Sequence, residues 1–277
     1  MSIGLKYKNT EDVFTEKEIN NIPFLIFNNL ENTGIIKQAF TTRIGGVSKG
    51  DCATMNISLF RGDSKEAVEE NKRRLSKAIG IDKDTFTYTH QEHTTNIKVV
   101  KEEDRGAVFE DTDGMITNVA NICLVTFYAD CVPLYFVDPI NKAIGLSHSG
   151  WKGTVSKMGL RTVMMMNQEF GTDPKELLVG IGPSICQECY EVSDDVTGEI
   201  HSAIPNYNNE DLFYLKDNGK YQLNLWRANQ LILEEAGVPA KNIATTNVCT
   251  CCNPDILFSH RASKGKRGNL TAMLSLK

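Results

Sequence analysis

His93, Cys131 and His148 each occupy a short, chemically unusual setting: Thr89-His90-Gln91-Glu92-His93, Ala129-Asp130-Cys131-Val132-Pro133 and Ser147-His148-Ser149-Gly150-Trp151-Lys152-Gly153. Two imidazoles and one thiolate, each at the end of a β-like run, are the donor set of a catalytic zinc site that keeps its fourth position open. That donor set points to a metalloenzyme. Held by two neutral imidazoles and a thiolate, zinc keeps about one unit of positive charge and brings a bound water to a pKa of roughly 7.

The elements around these residues explain how they could meet. Ile122 to Tyr128 reads as a buried strand with Ala129-Asp130-Cys131 at its end, and Pro133 is expected to stop the ladder there. Leu134–Val137 and Ala143–Ser147 read as strands joined by the turn Pro139-Ile140-Asn141-Lys142, which returns His148 toward Cys131. Asp130 and Cys131 are adjacent, so in extended backbone only one of them faces the site. Cys131 is assigned to the metal and Asp130 to a supporting or general-base role. Further strands are expected at 22–27, 85–89, 97–100, 177–181 and 243–246. Helices are expected from Asp63, capped there, to Gly80, and over about 155–170, 194–204 and 225–236, the last capped by Asn224. No Pro/Gly/Ser-rich linker divides the chain. The expectation is an α+β fold, one domain of mixed β-sheet packed with helices over 1–277, with 1–20 a less certain lead-in.

Composition narrows the function classes. The chain has 277 residues, 41 % of them apolar, and a formal charge of -5. That is enough for a large core, and it leaves no basic footprint for nucleic acid or an anionic membrane. The one dense basic run, Lys264-Gly265-Lys266-Arg267, reads as a solvated loop. Met1 to Phe14 lacks the apolar stretch of a secretion signal, and no run of about 18 apolar residues occurs, so the expected location is the cytoplasm. Eight cysteines in such a chain point to ligands, nucleophiles or buried thiols in preference to disulfides.

Other eye-catching residues have plainer readings. Met164-Met165-Met166 falls on an expected helix and reads as core filling, and His201 reads as a surface or capping histidine. Cys186-Gln187-Glu188-Cys189 and Cys249-Thr250-Cys251-Cys252 could supply a four-thiolate structural zinc, but the second run reads as lacking the usual two-residue gap and lies far along the chain.

From Phe40 to Lys277 the chain resembles the bacterial YfiH/YlmD laccase-domain family. The resemblance rests on Thr41-Thr42-Arg43-Ile44-Gly45-Gly46-Val47-Ser48, Gln91-Glu92-His93, Asp113-Gly114, Ala129-Asp130-Cys131-Val132-Pro133, His148-Ser149-Gly150-Trp151-Lys152-Gly153, Gly182-Pro183-Ser184-Ile185, Cys189-Tyr190-Glu191-Val192 and Phe258-Ser259-His260-Arg261. It implies a YfiH-like fold with His93, Cys131 and His148 as the zinc and catalytic residues. It also implies phosphorolysis of adenosine, inosine, guanosine and S-methyl-5'-thioadenosine, together with deamination of adenosine. Purine nucleosides and inorganic phosphate would then be the partners. Arg43 beside the Gly45-Gly46 turn, Ser48, Lys152 and Arg261 are the groups available to bind substrate and phosphate.

Three rival activities compete with this reading. A copper oxidase needs a type 1 copper and a trinuclear cluster, and five histidines, three of them outside the proposed site, leave too few ligands. A metal-free thiol amidase could use Cys131 as nucleophile and His148 as base. A non-catalytic binding module would turn over no nucleoside at any metal loading.

Overall fold

Ile22–Phe27 and Leu270–Leu276 are buried along their whole lengths, and strands of that kind must be covered on both faces. Alternation then divides their side chains between two cores. Leu25 and Phe27 point one way, and Phe24 and Ile26 the other.

The computed structural model describes residues 3–205 and 209–277. A seven-stranded sheet runs in the order Phe14–Ile19, Ile22–Phe27, Ile36–Thr41, Leu270–Leu276, Cys123–Tyr128, Phe86–Thr89, Val108–Phe109. A six-stranded sheet runs Ile243–Thr245, Leu178–Ile181, Val132–Asp138, Ala143–Ser149, Gly114–Thr117, Ile97–Val99. Phe40, Tyr128 and Leu274 of the first sheet meet Tyr135, Val137 and Ile144 of the second in the core between them. Lys65–Ile79 covers the outer face of the first sheet through Leu75 and Ala78. Met158–Phe170 and Leu225–Glu235 cover the outer face of the second through Val163, Met166, Leu231 and Ile232. The result is the expected α+β architecture, with the layers in the order helix, sheet, sheet, helix.

Register delivers the site. Val132–Asp138 and Ala143–Ser149 pair antiparallel across the short turn, with His148 opposite Pro133 and Ser149 opposite Val132. Pro133 therefore lies inside the strand and does not end it. It needs no N–H there, and its carbonyl takes the amide of Gly182 at 2.8 Å.

Several local expectations shift for identifiable reasons. The first long helix is capped by Ser64, whose hydroxyl accepts from the Ala67 amide, because the Asp63 carboxylate is occupied by Ser48 and Asn56. The helix expected from about 155 is two pieces, Trp151–Val155 and Met158–Phe170, broken where Lys157 takes φ 58°. Of the three consecutive methionines, Met166 is fully buried and Met164 is 62 % exposed. Adjacent helical residues are about 100° apart and cannot all face one core. The central strand Leu270–Leu276 is not among the runs singled out in the sequence.

Candidate active site

The three candidate ligands come from different elements and converge where the two sheets meet. His93 lies on the loop after Phe86–Thr89, Cys131 on the crossing from one sheet to the other, and His148 near the end of Ala143–Ser149. Their donor atoms all lie within 4.8 Å of one another. Cys131 Sγ is 3.8 Å from His93 Nε2, and the two imidazole rings stand nearly perpendicular with centroids 4.9 Å apart. Gln91 clamps the His93 loop by exchanging two hydrogen bonds with the Phe127 backbone, at 2.9 and 2.7 Å. Gly150 leaves the space these groups need, since a Cβ there would stand 3.1 Å from both Cys131 Sγ and His93 Cδ2.

Asp113 organises the constellation, although the sequence assigned it no role. It is fully buried. Oδ1 accepts from His148 Nδ1 at 2.7 Å and from the His93 amide at 3.2 Å. Oδ2 accepts from the Glu92 and Thr94 amides and from the Thr94 hydroxyl, at 3.1, 2.9 and 3.1 Å. One carboxylate therefore fixes the tautomer of His148, turning Nε2 toward Cys131, and holds the loop that carries His93. A carboxylate behind a histidine in this way is the usual partner of a metal-binding imidazole. His93 has φ 63° and Asp130 φ 87°, conformations that cost about 1–3 kcal/mol each and persist where surrounding bonds impose them.

The groups are electrostatically coupled. Burial pushes the Cys131 thiol up, but the charge and hydrogen bond of His148, and then those of His93, overcome it and bring the pKa to about 6. Burial likewise disfavours a charged His148, and the Cys131 thiolate and Asp113 outweigh it, raising the imidazole to about 9.

Two cavities share Cys131 and His93 in their walls. One, of about 250 Å³, is walled by Trp151, Tyr190, Ile185 and Leu225, with Glu92 and Lys152 at its polar edge. The other, of about 230 Å³, is walled by Phe60, Phe127 and His90, with Arg61 and Arg267 contributing positive charge. Arg267 was read from the sequence as part of a solvated loop; it is half-buried, and its Nε is buried without a hydrogen-bond partner. Burial first, and the neighbouring Arg61 second, lower its pKa to about 10. Arg267 Nη1 donates to the Gly268 carbonyl and to Asn269 Oδ1, so Nε is the guanidinium nitrogen left unpaired beside a second arginine.

The other sequence candidates divide. Lys152 is at the cleft. Arg43 is not, because its guanidinium is spent on the Ala53 and Pro254 carbonyls at 2.8–2.9 Å and lies over the Phe258 ring. Ser48 is buried against Asp63 and Asn71, away from both cavities. These two hold the 43–71 region together, in place of the anion role expected of them. Arg261 braces the wall from behind, reaching the Cys189 and Glu191 carbonyls and lying over the Tyr190 ring. Asp130 is engaged at both oxygens, by the Thr250 hydroxyl at 2.7 Å and the Arg261 amide at 2.6 Å. It is therefore a buttress, and the carboxylate beside the ligands is Asp113. His90 stacks on Phe60 and pairs with Glu110, leaving His93 as the imidazole facing Cys131.

The donor chemistry suits one tetrahedral metal ion with an open position: two imidazoles, one of them oriented by a buried carboxylate, and a thiol already biased toward thiolate. It does not suit a multicopper centre. Among the described residues His201 and His260 lie on separate helices, and no other group of histidines gathers. No helix among them is long and apolar enough to cross a membrane.

Comparison with known proteins places the chain. A family model described as "Multi-copper polyphenol oxidoreductase laccase" matches residues 37–277. The purine nucleoside phosphorylase YlmD of Bacillus subtilis is 32 % identical over 255 residues, covering 89 % of this chain and 91 % of that protein. The YlmD of Geobacillus stearothermophilus is 34 % identical, covering 84 % and 88 %. Crystal structures of YfiH from Bacillus licheniformis and of the same G. stearothermophilus YlmD superpose with TM-scores of 0.90, at 29 % and 31 % identity, covering 96 % of this chain and 100 % of each neighbour. Sequence and backbone agree over nearly the whole length, and the chain belongs to the YfiH/YlmD laccase-domain family.

Proposed function

We propose that this protein is a zinc-dependent purine nucleoside phosphorylase, acting on adenosine, inosine, guanosine and S-methyl-5'-thioadenosine, that also deaminates adenosine. The observation that carries the reading is that His93 and Cys131 line both a cavity holding Trp151 and Tyr190 and a cavity holding Arg61 and Arg267. Phosphorolysis needs both compartments, one for a flat apolar heterocycle and one for a dianion, with the anomeric carbon between them. The names of the curated relatives support the same reaction.

His93, Cys131 and His148 would hold the zinc, which supplies Lewis-acid charge and acidifies a bound water. The protein's own groups do the rest. Arg61 and Arg267 bind phosphate and orient one of its oxygens toward the anomeric carbon. As that C–O bond forms, the glycosidic C–N bond breaks, and the purine leaves with the electron pair and takes up a proton. Trp151 and Tyr190 enclose the base. The Tyr190 phenol, which burial and then the Cys131 charge keep protonated, and the Lys152 side chain are the proton donors on that wall. Deamination requires only water at C6 of adenine with loss of ammonia.

One observation favours a second reading. Asp113 is hydrogen-bonded to His148, whose other nitrogen lies within 4.8 Å of Cys131 Sγ, the arrangement of a thiol hydrolase with nucleophile, base and orienting acid. Such an enzyme has no use for His93 facing the same sulfur. The deciding experiment is elemental analysis of the purified protein alongside phosphate-dependent assays on adenosine and inosine. Cys131→Ser should lose one equivalent of zinc and nucleoside turnover together. Full activity in metal-free wild-type protein, abolished only by thiol alkylation, would establish the thiol hydrolase instead.

A further inference from the structure

Behind the wall that carries Tyr190, four more sulfurs come together. Cys186 precedes and Cys189 closes the turn at 187–189, and Cys249 and Cys252 lie in the segment between Ile243–Thr245 and His260–Ser263. Counting from Cys249 to Cys252 passes over Cys251 and restores the two-residue gap that is hidden when the run is read as a block. The pairing is then C-x-x-C with C-x-x-C. All four Sγ atoms lie within 4.8 Å of one another, Cys189 to Cys252 at 3.5 Å and Cys186 to Cys252 at 4.0 Å. All four thiols are free. A zinc ion with Zn–S bonds of about 2.3 Å needs a sulfur tetrahedron with edges of about 3.8 Å, so the cage is already near the size of one ion.

We propose that Cys186, Cys189, Cys249 and Cys252 bind a structural zinc ion, a second metal in each chain and separate from the one at His93, Cys131 and His148. The backbone is arranged for it. Ser184 and Cys249 form a parallel bridge, the Thr250 amide reaches the Ser184 carbonyl at 3.1 Å, and the Cys189 amide closes its turn on the Cys186 carbonyl at 3.1 Å. The Cys186 amide already donates to Cys249 Sγ at 3.2 Å, a bond that stabilises a thiolate. Four thiolates around one divalent ion leave a net charge of -2. The Lys8 ammonium, tied to Glu188 at 3.1 Å, lies within electrostatic reach of Cys186 and Cys252 to offset part of it. Cys251 is not one of the four grouped sulfurs, although its thiol neighbours Cys189.

The placement gives the ion a task. Thr250 in one cysteine loop holds Asp130, the residue before Cys131. The Cys189 carbonyl in the other holds Arg261, which lies over Tyr190. An ion joining the loops ties the crossing that carries Cys131 to the wall that carries Tyr190, and closed structural zinc sites contribute folding energy in this way.

The inference rests on neither the reaction nor the first metal, and zinc counting separates them. Full-length wild-type protein purified with zinc should contain two zinc per chain, Cys131→Ser one, and Cys252→Ser one. Cobalt-substituted Cys131→Ser should show intense thiolate-to-cobalt charge transfer with tetrahedral ligand-field bands, and chelator treatment should abolish them and lower Tm. Should Cys252→Ser be insoluble, mercurial titration of Cys131→Ser gives the same information, with zinc released as four thiols react. A wild-type protein with one zinc that Cys131→Ser removes entirely would overturn the proposal. So would disulfides among these cysteines in mass spectra of zinc-replete protein.

Discussion

Asp113→Asn is the sharpest test of how the site is held. The substitution keeps size and shape but replaces one acceptor oxygen with an NH2 group. In the native protein five donors converge on this carboxylate, two at Oδ1 and three at Oδ2. Either orientation of the amide therefore sets its NH2 against at least two donors with no water nearby, since Asp113 is fully buried. Stranding a buried donor costs about 1–3 kcal/mol, so two of them place the loss at about 2–6 kcal/mol. Loss of the charge behind His148 should also weaken metal binding by about 10–100-fold. Chemical denaturation reads the first quantity, and competition with a chromophoric zinc chelator reads the second. Burial raises the Asp113 carboxyl, but the hydrogen bond and charge of His148, then the Thr94 and Glu92 amides, bring it below the usual carboxylate range. Its stabilisation is thus complete above the unfolded value of about 3.9 and lost as pH falls through the lower folded value. The gap between wild type and Asp113→Asn should narrow below about pH 4. A variant with unchanged denaturation midpoint and zinc affinity within twofold of wild type would refute the assignment.

The arginines separate cleanly. Arg267→Gln should raise the KM for phosphate by about one to two decades, the worth of a charge-assisted hydrogen bond of about 1.5–3 kcal/mol, while adenosine deamination changes little; Arg43→Gln should lower Tm and leave the phosphate KM alone. Equal loss of both activities in Arg267→Gln would remove it from the phosphate site. Gly150→Ala, with a methyl 3.1 Å from Cys131 and His93, should weaken zinc binding while the fold survives, measured by zinc retention on dialysis beside an unchanged circular dichroism spectrum. In metal-free protein, Cys131 is a thiolate above about pH 6, so its alkylation rate should rise through pH 6 and level off, where an ordinary thiol climbs through about 8.5. Zinc uptake near neutral pH should release a proton from His148, which holds it up to about 9 without metal, as titration calorimetry in buffers of different ionisation enthalpy would show.

How much of this was legible in the chain depends on the range of the interaction. The strand Ile22–Phe27 and the hairpin strands 134–137 and 143–147 were visible because alternation, buried apolar runs and a Pro-Ile-Asn-Lys turn are local signals, although the strands extend to 132–138 and 143–149. Leu270–Leu276 was not, although it lies at the centre of the larger sheet. Thr271 and Ser275 interrupt its apolar run, and their burial depends on neighbours about 150 and 230 residues away in sequence.

Ligands and their supports differ for a related reason. A zinc ligand must present a particular element, nitrogen or sulfur, and few residue types do, so the proposed ligands His93, Cys131 and His148 stand out in the sequence. A supporting group need only accept hydrogen bonds from wherever the fold delivers donors. The chain offers 35 acidic residues, and nothing local distinguishes Asp113 from Asp130. Adjacency to Cys131 favoured Asp130, but the backbone at φ 87° turns its carboxylate toward Thr250 and Arg261. Asp113 wins because Gly114–Thr117 pairs with Ala143–Ser149, which sets the residue just before Gly114 against the ring of His148. One cation candidate shows the same logic in reverse. Arg43 sits beside a glycine turn, as an anion-binding residue often does, but its donors are consumed by two backbone carbonyls, and a guanidinium already satisfied has little to offer phosphate. Arg267, dismissed in sequence as one residue of a basic loop, keeps a buried nitrogen unpaired beside a second arginine. What recommends Arg267 as the proposed phosphate ligand is unmet hydrogen-bonding capacity, and that is a property of the folded chain alone.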